Sequence, residues 1–351
     1  MLPLTRGYAL AEVKARPQFE EKSRCRWVSW YRQFVADYGG KDSKEWEDFS
    51  EIEAEWDTLI EVIEWCIAQK RYADVLYFWR QVKSYNYTQG RQSDRLSYWR
   101  IPLAWEQWLV QAAQQHQDWS TAVEVMREQG WKLVLKGQKK HLEAADAIFA
   151  RAWELREYRE LSKQLDLAIC IAALRVEQQQ FDNALHWLER GEKLLDKAKG
   201  IPDSTGNLTL TPRDATRFRI RLLYCEGEIY YKIYQYQTAK TTFQTALDLA
   251  LSLSWQRAEF LIKDWLAHVA IQEKNFDRAE SLLLECLAVA REKKDNCRIA
   301  FCQRAIAKVE SGRGNSFKAE NLARKALATF QDLGMITEAK ETQELLGGMR
   351  Q

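Results

Sequence analysis

LLYCEGEIYYKIYQYQTAKTTFQTALDLA, residues 222–250, decides the fold. Within it, Ala239 is followed by Phe243 and Ala246, four and seven residues on, and is preceded twelve residues earlier by Gly227. Residues at i, i+4 and i+7 share one face of an α-helix. Ala239, Phe243 and Ala246 therefore form the buried stripe of one helix, and Gly227 lets an upstream helix come close. The unit is a helix, a short turn and a helix.

Working outward, three further segments fit the same frame: RVEQQQFDNALHWLERGEKL (175–194), HVAIQEKNFDRAESLLLECLAVA (268–290) and KVESGRGNSFKAENLARKALATF (308–330). Their trios are Ala184, Leu188, Gly191; Ala279, Leu283, Cys286; and Ala319, Ala323, Ala326, with Ala172, Ala267 and Ala307 twelve residues upstream. The anchors Ala239, Ala279 and Ala319 are evenly spaced, and HLEAADAIFARAWEL (141–155) sets Ala145, Phe149 and Ala152 one period, less a single position, before the Ala184 trio. A fixed period of this size is the mark of a helical solenoid. The one wide interval holds KGIPDSTGNLTLTPRD (199–214), whose Pro, Gly, Ser, Thr and Asn content reads as a loop insertion. RYADVLYFWRQV (71–82) and DWSTAVEVMREQGW (118–131) repeat the pattern more loosely, at Val75 and Ala122. No stretch alternates with the period of a strand.

The order small, aromatic, Ala, Phe, Ala, carried by Gly227, Tyr230, Ala239, Phe243 and Ala246, resembles the tetratricopeptide repeat. The family's unit is about 34 residues. Here it is longer, and forty-residue versions resemble the sensor arms of signal-transduction ATPases. LPLTRGYALAEVKARPQFEEKSRCRWVSWYRQF (2–34) is similar to the segment that joins winged helix to repeats in those proteins, and residues 44–85 to the first helical pair of their cyanobacterial-type arms. The resemblance implies an all-α, right-handed superhelix of antiparallel helix pairs. It divides the chain into an N-terminal helical segment at 1–60, irregular Trp-rich repeats at 61–135 and regular repeats at 136–351. No GxxxxGK[ST] loop is present, so nucleotide hydrolysis does not carry over.

In the tetratricopeptide fold the first helix of each pair lines a concave groove. The resemblance places Arg221, Tyr224, Glu228, Tyr231, Lys232, Asp264, His268, Arg304 and Lys308 there. Arg217 and Arg221 are i,i+4 neighbours and form a candidate anchor for a carboxylate or phosphate, weighed against an ordinary charged helix face. Lys136, Lys139 and Lys140 form a second basic group with the same plain reading.

Composition narrows the function classes. With 52 Lys and Arg against 50 Asp and Glu, the net charge is +2, which gives no field to draw a polyanion and argues against nucleic acid. Seven cysteines occur singly, without a CxxC pair, as expected of reduced core thiols in a cytoplasmic protein. Neither a signal-peptide core nor an apolar run of about 18 residues occurs, so no membrane association is expected. Twelve of the 15 tryptophans fall at or before Trp153. Trp56, Trp65 and Trp79, and Trp99, Trp105 and Trp108, read as a thick aromatic core, with Trp105 and Trp108 as alternative binding-surface candidates. His116, His141, His186 and His268 form no metal motif, and no nucleophile, base or phosphate cradle stands out.

The expectation is a non-catalytic protein-interaction or ligand-sensing module in signalling that binds a peptide or partner protein in its groove, without cofactor or metal. Two alternatives are a detached sensor arm that docks on a separate NTPase, and an RNA-binding helical repeat. Oligomeric state is left open. The polar ITEAKETQELLGGMRQ (336–351) reads as the cap of the array.

Overall fold

A computed structural model describes residues 12, 15–42, 44–87, 103–199 and 210–349. Most of the first fourteen residues, Trp99 and positions 200–209 of the expected loop lie outside the described residues. Among the described residues there are sixteen α-helices, two short 3-10 turns and no strand. The chain divides into two compact units, Met1–Ser43 with Glu47–Thr88, and Lys44–Trp46 with Gln89–Gln351.

The first unit contains α1 (Pro17–Tyr38), α2 (Ser50–Ala54), α3 (Trp56–Ala68) and α4 (Tyr72–Val82). Pro17 starts α1 where its missing N–H costs nothing. Val28, Val35, Ile52, Leu59, Ile63, Phe78 and Trp79 are fully buried and Trp56 nearly so, whereas Trp65, the third tryptophan of the expected aromatic core, is half-buried. Polar ties frame it: Tyr31 donates to Glu55 at 2.6 Å, and Arg32 pairs with Asp74 at 2.7 Å.

The second unit opens with α5 (Leu103–Gln115) and continues as five antiparallel pairs. They are α6 (Trp119–Lys136) with α7 (Lys139–Glu154), α8 (Leu161–Glu177) with α9 (Phe181–Ala198), and α10 (Pro212–Lys232) with α11 (Tyr236–Ser252). Next come α12 (Gln256–Gln272) with α13 (Phe276–Glu292) and α14 (Asn296–Gly312) with α15 (Ser316–Asp332), and α16 (Ile336–Gly348) ends the row. Trp105 is buried on α5 and Trp108 half-buried. Helix α10 begins inside the stretch read as a loop, because Thr211 caps it, accepting from the Asp214 N–H, and Pro212 occupies its first turn.

The seams of the pairs are small residues facing rings. A methyl placed on Gly227 would lie 2.7 Å from the Phe243 ring, and one on Gly130 only 2.3 Å from Phe149. The same contact joins Phe276 of α13 to Gly312 of α14, while Gly191 is closed by Leu222. Ala184, Ala239, Ala279 and Ala319 are fully buried, as their period predicts. One buried ion pair, Lys132 with Glu106 at 2.6 Å, ties α6 to α5.

The turns explain the even period. From α10 onward, left-handed residues stand at Tyr234, Ser254, Lys274, Lys294, Gly314 and Gly334, evenly spaced at half the repeat. After each, the next N–H returns to the carbonyl five positions back, as in Gln235 to Tyr230 and Trp255 to Ala250. This is the 6→1 bond of a Schellman-type stop. Both kinds of turn, within a pair and between pairs, are therefore the same device, and α11 to α15 are all 17 residues long.

Candidate binding groove

First helices of successive pairs (α6, α8, α10, α12, α14) approach one another, and more closely than the second helices do. The row therefore curves with its first helices inside. The curl brings α16 beside the turn of the first pair, since a methyl on Gly137 would sit 3.7 Å from Thr337 Oγ1. What faces this inner side comes almost entirely from first helices.

Across the middle of the groove, Asp166 of α8 is held between Arg127 of α6, at 2.7 Å, and Arg221 of α10, at 2.5 Å. Burial opposes its charge, but Arg127, Arg221 and Lys44 hold its carboxyl well below the usual carboxylate range. Three first helices are thus stapled by one carboxylate. Arg221 is committed to that staple, while Arg217, one turn earlier, grips Glu45 at 2.7 Å and lies over the Trp255 ring at 4.4 Å.

Toward the far end lie the other expected groove residues. Lys232 pairs with Glu228 at 3.3 Å and Glu177 at 3.5 Å; burial works against its charge, and the two carboxylates more than offset it. Asp264 lies 3.9 Å from His268. The imidazole is pushed below its ordinary value by burial, with Lys308 and Arg304 adding to the effect and Asp264 opposing it. Arg304 binds Glu341 at 2.9 Å and rests between Phe301 and Phe330. Lys308 is depressed by burial and by Arg304. Tyr231 accepts from Gln272 at 3.2 Å, whereas Tyr224 is drawn toward the seam, accepting from the Trp265 indole at 2.8 Å. Arg217 and Arg221 do not converge on one anion, because each holds a different carboxylate.

The sequence pattern missed the part of the groove that is occupied. Residues Lys44–Trp46, which belong to this second unit, are non-helical and lie on α10, α12 and the start of α14. Trp255 donates from its indole to the Lys44 carbonyl at 3.0 Å, and Arg257 donates to the Glu45 carbonyl at 3.1 Å. The Trp46 ring stands edge-on to Phe260 at 5.4 Å, and its N–H donates to Asp295 Oδ2 at 3.1 Å. The other oxygen of Asp295 caps α14 through the Arg298 N–H, so the acceptor is fixed by the helix itself. Lys44 sits over Phe218 at 5.6 Å. No local signal marks it: in KEWED Trp46 is flanked by charged residues, but so is Trp56 in AEWDT, which starts α3 and is buried.

Groove and seat are built by first helices, with second helices outside and small-residue seams between. This is a tetratricopeptide-like solenoid. No protein-family model matches the chain, and no curated protein sequence matches it. Solved structures are similar at low identity. BtubC from P. vanneervenii has 16% identity and a TM-score of 0.41 over 60% of this chain and 89% of its own. A signal-transduction ATPase with a tetratricopeptide repeat sensor from Pyrococcus horikoshii has 12% identity and a TM-score of 0.47; the match spans 82% of this chain but 42% of that protein. A Rap protein complexed with competence and sporulation factor has 12% identity and a TM-score of 0.44 over 86% of this chain and 98% of its own. The repeat assignment rests on the helix pairs themselves.

Within the described residues no group of three or more His, Cys, Asp or Glu side chains could hold a metal ion, and no helix is long and apolar enough to cross a membrane. All seven cysteines are free thiols, six of them buried; burial pushes Cys66 up to about 12 and Cys170 to about 11, which keeps both as unreactive thiols.

Proposed function

We propose that the chain is a non-catalytic interaction module in signalling that captures a polypeptide segment in the groove of its tetratricopeptide-like repeats. One observation carries this reading: groove side chains already donate to main-chain carbonyls, Trp255 to Lys44 and Arg257 to Glu45. Donors aimed at successive carbonyls recognise polypeptide, whatever its side chains. Beyond this seat the groove continues past Asp264, His268, Tyr231 and Lys308, a lining of polar and aromatic groups that suits side chains of a longer segment.

The test is affinity capture from a cytosolic lysate of the source organism, comparing wild type with Tyr231→Ala/Lys308→Ala, each matched by thermal melting. The variant is expected to lose at least tenfold in partner affinity. Retention of every partner at wild-type affinity would overturn the groove reading.

A further inference from the structure

The seat that holds Lys44–Trp46 has a defined chemistry, and its occupant is part of the chain. Arg217 takes a carboxylate, Arg257 and Trp255 take two carbonyls, Phe260 offers a ring wall, and Asp295 takes an indole N–H. An acidic side chain followed directly by a tryptophan satisfies all five. Phenylalanine would take the indole donor away from Asp295 Oδ2, and a neutral residue before it would take the carboxylate away from Arg217.

The charge pair in this hold lies partly in solvent. The Arg217–Glu45 pair is about one-fifth and one-third exposed, with side-chain exposures of 18% and 34%, so solvent screens it. The occupant is short, only three residues of it belonging to this unit. A tethered segment of this kind meets its seat at an effective concentration of about 1 mM. If the seat binds the free segment with a Kd of about 0.1 mM, it is self-filled roughly ten to one, and an outside ligand sees about a tenfold weaker site.

We propose that this seat is the partner site of the groove, and that Lys44–Trp46 is a tethered stand-in for the partner, which is a protein segment carrying Glu-Trp or Asp-Trp. The stand-in sets a threshold: a partner binds only when its concentration, or a second contact farther along the groove, outcompetes the chain's own segment. This rests on the reading that the groove captures polypeptide.

The experiment uses the full chain and a fluorescent peptide of residues 41–49, KDSKEWEDF, followed by anisotropy. Removing the stand-in with Glu45→Ala/Trp46→Ala is expected to tighten peptide binding about tenfold over wild type. Adding Arg217→Glu to that variant should abolish binding, and a peptide carrying E45A/W46A should not bind either variant. Where the double variant melts early, Glu45→Arg, which sets two guanidinium groups against each other and keeps Trp46, should free the seat equally. Equal peptide affinity for wild type and both freed variants, or binding indifferent to Arg217→Glu, overturns the proposal. Either result leaves the general groove reading standing if Tyr231→Ala/Lys308→Ala still loses its partners, so the two failures are distinguishable.

Discussion

The seams between paired helices and the inner face of the groove are built from the same first helices, yet by opposite rules. At the seam, Gly227 faces Phe243 and Gly130 faces Phe149, with no room for a methyl group. On the inner face, Asp166, Arg221, Asp264, His268 and Arg304 are held through ion pairs and ring contacts. The seam device recurs from pair to pair, while no two first helices present the same groove residues. Stability is thus assigned to the repeated face, and the varied inner face can change without loosening the stack.

The largest expected effect breaks the seam. Phe243 is fully buried, stacks on Trp265 at 5.8 Å and fills the space above Gly227. Phe243→Ala should cost about 3–5 kcal/mol. In a solenoid the loss stays local, so hydrogen exchange should show α10 to α12 opening ahead of the other pairs. Gly227→Ala probes the same seam from the other side. It forces a methyl to within 2.7 Å of the ring and should cost about 1–3 kcal/mol. If both variants melt like wild type, the seam is not where stability lies.

A smaller effect reads the groove. The folded-state value of His268 is depressed by burial and by Lys308 and Arg304, against the pull of Asp264. A base depressed by folding contributes stability that is complete above its unfolded value, about 6.5, and lost as pH falls toward the folded value. Unfolding free energy should therefore drop by up to about 1.4 kcal/mol per pH unit below that point. His141 is depressed in the same direction by burial, Lys136 and Lys140, so wild type alone does not separate them. Urea titrations at pH 7.5 and 5.5 on wild type and His268→Gln do. The variant should lose less than wild type over that interval. Equal losses would mean that the imidazole titrates as if in water.

The seam was legible in sequence because packing repeats. Ala239, Phe243 and Ala246 recur as Ala279, Leu283 and Cys286 since each pair must solve the same close approach, and all six are buried. Gly130 escaped the twelve-residue rule because the ring that covers it, Phe149, sits about one helical turn farther into α7 than Phe243 does into α11. The groove was legible only as a face. The period puts Arg217, Arg221, Asp264, His268 and Arg304 on first helices, but which carboxylate each arginine takes depends on contacts between distant helices, such as Asp166 to Arg221, 55 residues apart. Least legible was Trp46, whose partner Asp295 is 249 residues away. No local periodicity carries a contact between a non-helical segment and a helix cap.

The smallest effect belongs to the turns that hold seam and groove in register. Lys274 and Lys294 stand at φ 57° and 52°, where Gly314 and Gly334 occupy the equivalent positions two turns on. A residue with a Cβ in the left-handed region costs roughly 1–2 kcal/mol, and glycine returns roughly half of that through its freer unfolded chain. Lys274→Gly and Lys294→Gly should therefore each stabilise by about 0.5 kcal/mol. The reciprocal Gly314→Ala should destabilise by about 1 kcal/mol. No atom lies within 4 Å of a Cβ placed on Gly314, so that cost is the backbone's alone. Urea midpoints of the three variants check the set. If alanine is harmless at 314 while glycine is harmful at 274 and 294, the even register of the turns is fixed by side-chain packing at the seams, and the left-handed residues merely follow from it.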